Sequence, residues 1–389
     1  MQRSHIIEVS QKSVDRKIAK ITQGKQDRYK YIGEYGYSPT HESMGVECNN
    51  LGIIIKDIPP TSSLLDLKNP PLKEFLLSSK TPTRSDLKTY LKTHEIFIAY
   101  LKAGSYYQTG FIYTAAALSK FSGKQTLDLI IPQVNLNCLH TEFLKQQGIA
   151  KIQIIKIQEG RVTQEEISLS EKGKALRMIN PFPLEQIDFH TLLTCTYPLV
   201  GCTGDHSFNE AVSFDRIPFY ELRSAKTSFI NHLIALAEHV GEEPFYLKQY
   251  FEKLASIYDR AQGVVIDSMA HYNKLPDEAS KAENREKSKK NFDHLEKKQT
   301  RIAESALKIA ELLRQPKFVE EVQKLNSFLR ENFSFNAVLQ NIVERDLALA
   351  NCEDLRKLEG TIREDYLKDR ITLNQAVELL EESIQNGTF

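Results

Sequence analysis

The turn from Thr203 to Ser207 holds the densest set of chemically useful groups in this sequence. It reads Thr-Gly-Asp-His-Ser and lies between the apolar run "YPLVGC" and a predicted short helix. Gly204 permits a left-handed or close-approach backbone, and the first amides of a helix attract anions. The Ser207 hydroxyl would face the same anion, so the turn is a candidate phosphate site.

The same residues also fit a purely structural interpretation. Ser207-Phe208-Asn209-Glu210 has the spacing of a capping box. In that motif the Ser hydroxyl and the Glu carboxylate satisfy free amides at a helix start. The pattern therefore predicts a helix capped by Ser207. Both interpretations can hold at once, and the turn alone does not choose between them.

Two further side chains of the turn are candidates for catalysis. Asp205 would repel phosphate, and it is better suited to accept hydrogen bonds from sugar hydroxyls or neighbouring amides. His206 is a candidate general base that deprotonates an acceptor, although a single loop histidine is more often a surface residue. Other candidates for the base lie in the polar N-terminal region at Glu34, His41 and Glu42.

The elements around this turn alternate between strand and helix from residue 95 to 240. Strand-like runs are "IFIAY", "LDLIIPQ", "KIQIIKI", "YPLVGC" and "RIPFYE", and helical spacing occurs in "QTGFIYTAAALSKF", "LHTEFLKQQG" and "KTSFINHLIALAEHVG". This alternation predicts an α/β domain with a Rossmann-like, doubly wound parallel sheet, whose ligands bind at the carboxyl ends of the strands. Residues 1–94 are irregular, with one predicted strand in "LGIIIKDIPP", and residues 245–389 have the spacing of a helical domain.

Composition excludes several classes of function. The chain has 389 residues, is 41% hydrophobic and carries no net charge, which is ordinary for a soluble globular protein and gives no global attraction to nucleic acid. No apolar run approaches the roughly 18 residues of a membrane span, and the N-terminus has no secretory apolar region. Five scattered cysteines predict reduced thiols in a cytoplasmic setting.

Common cofactor motifs are also absent from the sequence. Cys195, Cys202 and His206 have no spacing typical of a zinc site. The Gly-rich patterns of dinucleotide-binding and P-loop proteins do not occur. We therefore expect neither a metal nor a bound cofactor.

The stretch "GDHSFNEAVSFDRIPFYE" resembles the nucleotide-sugar-binding segment of GT-B glycosyltransferases, in which a small-residue turn holds the donor diphosphate. The longer stretch "NPFPLEQIDFHTLLTCTYPLVGCTGDHSFNEAVSFDRIPF" is similar in rhythm to bacterial protein-arginine rhamnosyltransferases that act on elongation factor P. The resemblance covers residues 95–240. It implies a metal-independent GT-B enzyme that moves a sugar from a nucleotide-activated donor to an acceptor such as a protein.

The resemblance also implies roles for individual residues. Phe182 in "NPFP" would lie against the nucleobase, and Glu210 would reach the ribose. The residues expected to line the diphosphate or sugar are Thr203, Gly204, Asp205, Ser207 and Phe208. Retaining GT-B enzymes commonly have two Glu residues eight positions apart. Cys202 occupies the position eight before Glu210, which leaves the stereochemistry of transfer open.

A second segment, "AYLKAGSYYQTG", is similar to the end of the first strand in the donor half of GT-B proteins, where a basic residue and a glycine approach the diphosphate. There Lys102 would neutralise charge on the leaving group, with Gly104 and Ser105 beside the donor. The alternative is a solvated loop lysine. Residues 1–94 are too few and too irregular for a complete acceptor half, so either the acceptor half is reduced or the chain is one part of a larger polypeptide.

Two other functions stay open at the level of sequence. One is a glycosyltransferase-like scaffold that has lost catalysis and binds a protein through its helical region. The other is a different Rossmann-like domain, in which Phe182 and residues 204–210 would not converge on one pocket. The chain end "ELLEESIQNGTF" is similar to secretion signals of bacterial type IV effectors, which implies delivery into a host cell.

Overall fold

The structure is a computed structural model that describes residues 6–9, 29–32, 46, 52–56, 62–158, 160–222, 226–259, 278–287 and 289–338, with isolated residues between 340 and 379. The chain divides into two compact units, Met1–Ile54 with Phe328–Phe389, and Ile55–Ser327. In the first unit, strands β1 (Ile6–Val9) and β2 (Tyr29–Ile32) pair in parallel. The strand predicted in "LGIIIKDIPP" is reduced, among the described residues, to a bridge between Ile53 and Ser334.

A seven-stranded sheet forms the centre of the second unit. Its strands are β3 (His94–Tyr100), β4 (Thr126–Ile130), β5 (Ile149–Gln158), β6 (Arg161–Ser168), β7 (Lys174–Asn180), β8 (Leu199–Cys202) and β9 (Ile217–Tyr220). They lie in the order β6-β5-β7-β4-β3-β8-β9. All neighbours run parallel except β5 and β6, which form an antiparallel hairpin at one edge. The prediction of an α/β fold with a mostly parallel sheet is confirmed.

Helices connect the strands and continue beyond the sheet. They are α1 (Pro70–Leu77), α2 (Arg84–Thr93), α3 (Tyr106–Ser119), α4 (Thr141–Gln146), α5 (Gln186–Cys195), α6 (Asp205–Ser213), α7 (Thr227–Val240), α8 (Tyr246–Ser256), α9 (Glu278–Lys287), α10 (Lys289–Leu313) and α11 (Pro316–Asn332). The charge-dense stretch before residue 300 forms α9 and the first half of α10. The helices predicted in "NAVLQNIVERDLALA" and "LNQAVELLEESIQ" lie largely outside the described residues.

Helices cover both faces of the sheet. Consecutive residues of a strand point to opposite faces. In β9 the ring of Phe219 contacts Phe111 of α3, with centroids 5.5 Å apart. The next residue, Tyr220, contacts Phe208 of α6, also at 5.5 Å. Helices α3 and α6 therefore pack on opposite faces, as expected for a Rossmann-like arrangement.

Helix α3 is the most deeply buried helix segment around the sheet. All 14 of its residues are buried, because its apolar sequence leaves no face suited to water. It packs against α10. A Cβ at Gly110 would lie 3.0 Å from Ile257, which follows α8, and 3.5 Å from Ile302 of α10. Glycine therefore permits the close approach of α3 to these residues.

The sequence prediction missed β6 and β7. Every residue of β6 is exposed, so it lacks the alternation of a half-buried strand. In β7, Arg177 interrupts the apolar pattern, yet its side chain is largely buried because it meets Asp128 of β4 at the paired register position. The cross-strand ion pair allows Arg177 to be accommodated inside the sheet.

Asp128 is fully buried and organises a polar network between β4, β7 and α2. Arg177 donates to both of its oxygens, Nε to Oδ1 at 2.6 Å and Nη2 to Oδ2 at 2.5 Å. The Tyr90 hydroxyl donates to Oδ2 at 2.6 Å. Burial and the Asp128 charge raise the pKa of Tyr90 well above its ordinary value, so the hydroxyl keeps its proton and remains a donor.

The order of the strands reverses beside β3. The chain builds β4, β5 and β7 on one side of β3, then crosses back and places β8 on the other side. In open α/β sheets, ligands bind in the crevice at the carboxyl ends of the strands where such a reversal occurs. We therefore expect a ligand to bind at the loops that follow β3, β4, β7 and β8.

We expect Asp128→Asn to lower the free energy of unfolding by about 3 kcal/mol, because removing one charge of a buried pair leaves the other unpaired. Urea unfolding followed by circular dichroism measures this loss. Glu166→Gln is the matched control. Glu166 also pairs across strands, with Lys151 at 3.3 Å, but both side chains are exposed, so its urea midpoint should equal that of the wild type. Equal loss in both variants would contradict the assigned role of Asp128.

Candidate functional site

A cavity of about 680 Å³ opens at the carboxyl ends of β3, β4, β7 and β8. Apolar and aromatic side chains line one part of it, and polar groups from α5, α6 and the preceding turn line the other. The lining residues are Tyr100, Pro132, Phe182, Pro183, Leu184, Gln186, Phe189, Thr203, His206, Ser207 and Glu210. The cavity thus lies where the strand order reverses.

Helix α6 begins earlier than the capping box predicts. Gly204 is its N-cap, with φ of 82°, a backbone angle that favours glycine. Ser207 is consequently inside the first turn, where its hydroxyl donates to the carbonyls of Thr203 (3.0 Å) and Gly204 (3.2 Å). The capping-box prediction is wrong. The N-cap, Gly204, has no side chain and makes no side-chain cap hydrogen bond.

Glu210 is the buried charge of the site. It is 4% exposed, and a single carboxylate oxygen, Oε1, collects its contacts. These come from Lys56 Nζ at 2.8 Å, His190 Nε2 at 2.9 Å, Gln186 Nε2 at 3.3 Å and His206 Nε2 at 3.4 Å. The other oxygen, Oε2, has no hydrogen-bond partner among the residues that the structure describes. The cavity therefore offers a ligand one unused acceptor.

The surroundings of Glu210 keep its carboxylate ionised. Burial alone would raise its pKa, but hydrogen bonds from His206, Lys56 and His190 outweigh burial and hold the pKa well below its ordinary value. An ionised carboxylate only accepts hydrogen bonds. Oε2 is therefore suited to a hydroxyl or amine donor and not to a phosphate oxygen.

Two aromatic rings border the apolar part of the cavity. Tyr100 ends β3 and Phe182 follows β7, and their ring centroids lie 5.6 Å apart at an angle of 52°. Tyr100 is 47% exposed, which is unusual for a large aromatic side chain next to a cavity. Exposed aromatic faces of this kind can stack on a planar ligand group.

Several residues singled out from the sequence come together at this cavity. Phe182, Thr203, His206, Ser207 and Glu210 all line it. Gly204 lies between two of them and starts α6. If Phe182 and residues of the 204–210 segment form a single site, they have to meet in one pocket, and five of the candidate residues do so. The role of each residue stays a prediction.

Asp205 and Phe208 lie elsewhere. Asp205 accepts from Lys226 Nζ at 2.8 Å and from the Tyr220 hydroxyl at 3.5 Å. Phe208 is 1% exposed and packs edge-on against Tyr220 and Phe229 in the core. Neither residue lines the cavity. Their side chains instead contact Lys226, Tyr220 and Phe229 and hold the first part of α6 against the core.

The second predicted segment also has structural duties. Ser105 is buried and caps α3 by accepting from the Gln108 amide at 3.0 Å. The Gly104 amide donates to the Gln108 side chain at 2.8 Å. Lys102 has an exposed side chain, and its amide donates to Glu221 at 2.9 Å. None of the three predicted residues is among those lining the cavity.

Sequence reasoning missed Lys56, His190, Gln186 and Tyr100. The four-residue spacing of His206 and Glu210 is visible in the sequence and places both on one side of a helix. The contact between Lys56 and Glu210 joins positions 154 apart and carries no local signal. The proposed bases Glu34, His41 and Glu42 lie outside the described residues.

Neither a metal centre nor a reactive thiol is found at the site. Across the described ranges, no group of three or more His, Cys, Asp or Glu side chains could hold a metal ion. Burial raises the pKa of the Cys202 thiol well above its ordinary value, and the thiol donates to backbone carbonyls. Cys202 is thus a packed residue beneath the turn.

Comparison with known proteins adds no assignment. No protein-family model matches the chain, and no curated protein gives a significant match. In the part of the chain that the structure describes, none of the helices is both long and apolar enough to cross a membrane. Functional inference consequently depends on the cavity and on the sequence pattern around it.

Glu210→Gln tests the charge cluster through pH. The folded-state pKa of Glu210 is below the ordinary value of 4.5. The carboxylate therefore stabilises the fold above about pH 4.5, and this contribution is lost as the pH falls through the folded-state pKa. We expect the variant to be less stable than the wild type by about 2 kcal/mol at pH 7, with the difference shrinking below pH 4.5.

Urea unfolding at intervals from pH 3 to pH 7 measures the difference. Glu304→Gln, at an exposed position on α10, provides the control and should follow the wild type throughout. A difference between Glu210→Gln and the wild type that stays constant over this pH range would contradict the proposed electrostatics.

Proposed function

We propose that this protein is a glycosyltransferase whose sheet domain is of the GT-B donor-binding kind, and that it moves a sugar from a nucleotide diphosphate donor to an acceptor. One observation carries the proposal. An aromatic wall, a helix start with glycine at its N-cap, and a buried carboxylate meet in one cavity at the strand reversal, and Oε2 of that carboxylate has no partner among the described residues. These three features match a base, a diphosphate and a ribose.

The base occupies the apolar part of the cavity in this proposal. Phe182 and Tyr100 supply aromatic faces, and Leu184 and Phe189 complete the apolar lining. Stacking of a base on an aromatic side chain contributes about 1–3 kcal/mol. The same surface tolerates any base, because every base has a planar face.

The diphosphate lies at the start of α6. A helix of nine residues directs its first backbone amides and a partial positive charge towards its N-terminus. Gly204 has open space where a side chain would project, so a phosphate can approach the backbone. Lys56 and His206 add positive or hydrogen-bonding groups at this end. Lys56 is already paired with Glu210, so the attraction of phosphate comes mainly from the helix start and needs no bound metal.

The ribose contacts Glu210. Its Oε2 accepts from one or two hydroxyls, while Lys56, His190 and Gln186 hold Oε1 in place. The sugar then lies towards His206, whose side chain is 59% exposed. His206 is the candidate general base, oriented by Glu210. Lys56 takes the electrostatic role first considered for Lys102, because it contacts residues of the cavity.

Nucleotide binding provides the direct test. UDP, GDP and TDP are added in a thermal-unfolding assay, and a ligand at 100 times its dissociation constant should stabilise the fold by about 2.7 kcal/mol. Phe182→Ala should weaken binding of the preferred nucleotide by about 1–3 kcal/mol, the loss of one stacking contact. Phe121→Ala is the matched control, since Phe121 is 64% exposed and does not line the cavity.

If none of the three nucleotides raises the unfolding temperature of well-folded protein, the donor-site proposal is wrong. If a nucleotide binds, its sugar conjugate is supplied next. Release of nucleoside diphosphate supports transfer or hydrolysis of the sugar. Binding without any release favours the scaffold alternative, in which the cavity has lost its chemistry.

A further inference from the structure

A second cavity, of about 690 Å³, shares Phe182 and Pro183 with the first. It is formed by the turn between β5 and β6, the segment after β7, and the starts of α1 and α5. No role from the sequence or from the proposed donor site uses this space. Its polar lining side chains include Lys68, Gln158, Glu185 and Asp188.

Asp188 is the informative residue of this second cavity. It is 2% exposed, and Oδ1 accepts from the Lys68 amide at 2.5 Å. Within the described part of the chain, Oδ2 has no hydrogen-bond partner and no basic side chain forms an ion pair with Asp188. An unused oxygen on a buried carboxylate that lines a cavity therefore points to a ligand that donates a hydrogen.

The remaining lining decides the class of ligand. Glu185 and Asp188 only accept hydrogen bonds when ionised, the Lys68 ammonium only donates, and the Gln158 amide does both. The two carboxylates would repel an anion, and the charge of the exposed Lys68 offsets only part of their attraction for a cation. A hydroxyl group donates and accepts at once, so several hydroxyls can satisfy all of these groups. Phe182 and the neighbouring prolines offer apolar surface to the carbon faces of a sugar ring.

We propose that the second cavity binds a polyhydroxylated group, a saccharide, with Asp188 Oδ2 accepting from one hydroxyl. The shared wall of Phe182 and Pro183 places this saccharide next to the donor cavity. Its role as the sugar acceptor rests on the proposed glycosyltransferase function. The binding of the saccharide does not depend on that function, because none of the polar residues that line the donor cavity lines the second cavity.

The test is saturation-transfer NMR on the full chain with methyl glycosides of glucose, galactose, rhamnose and N-acetylglucosamine. Asp188→Asn keeps an oxygen for the Lys68 amide and converts the free acceptor into a donor. We expect binding of the preferred glycoside to weaken about tenfold or more, as for loss of a hydrogen bond to a charged group. Asp293→Asn, exposed on α10, makes the same charge change and should bind as the wild type does.

Three results would overturn the proposal. These are no saturation transfer to any glycoside from the wild type, equal binding by folded Asp188→Asn, and displacement of the glycoside by methylguanidinium at comparable concentration, which would mark a cation site. The thermal response to nucleotides is recorded on the same samples. Saturation transfer to a glycoside without a thermal response to nucleotides would support the saccharide site and contradict the donor site. A thermal response to a nucleotide without saturation transfer would support the donor site and contradict the saccharide site.

Discussion

The pairing of β8 with β3 is the constraint on which the rest of the structure depends. Gly201 lies opposite Ala99, and a Cβ at Gly201 would lie 2.4 Å from the Ala99 Cβ, which no side chain tolerates. The bare backbone at this position allows β8 to pair closely with β3, beside which the strand order reverses. Because of the reversal, the loops after four different strands end around one crevice. A larger residue here would displace β8 and, with it, the turn that starts α6.

Within that crevice, one buried carboxylate gathers partners from separate parts of the chain. Lys56 precedes the sheet, His190 lies on α5 and His206 on α6, and all three contact Oε1 of Glu210. A carboxylate buried without them would be costly. The cluster therefore fixes how the segment around Lys56 and helices α5 and α6 meet, and it leaves the second oxygen to the cavity.

The sequence predicted those features that have a local cause. β3, β4, β5, α3 and α7 each follow from a run of apolar residues with the right period, and Gly204 identified the turn before α6. The errors have both local and long-range causes. The apparent capping box moved the predicted start of α6, because the pattern of Ser207 and Glu210 does not reveal that Gly204 already begins the helix. β7 was missed because the partner that lets Arg177 be buried lies on another strand. The contacts of Lys56 and the shared wall at Phe182 needed the folded chain.

The complete burial of α3 has a consequence for how this protein could be divided or recombined. Helix α10 packs against α3, and the absence of a side chain at Gly110 allows their close contact. A fragment that stops after α7 would keep every strand of the sheet but would present the apolar surface of α3 to water, an aggregation hazard. The sheet and helix α10 therefore have to be expressed together and exchanged between chains together. The polypeptide cannot be cut between the α/β segment, residues 95–240, and the helical segment that follows it, although the composition changes there.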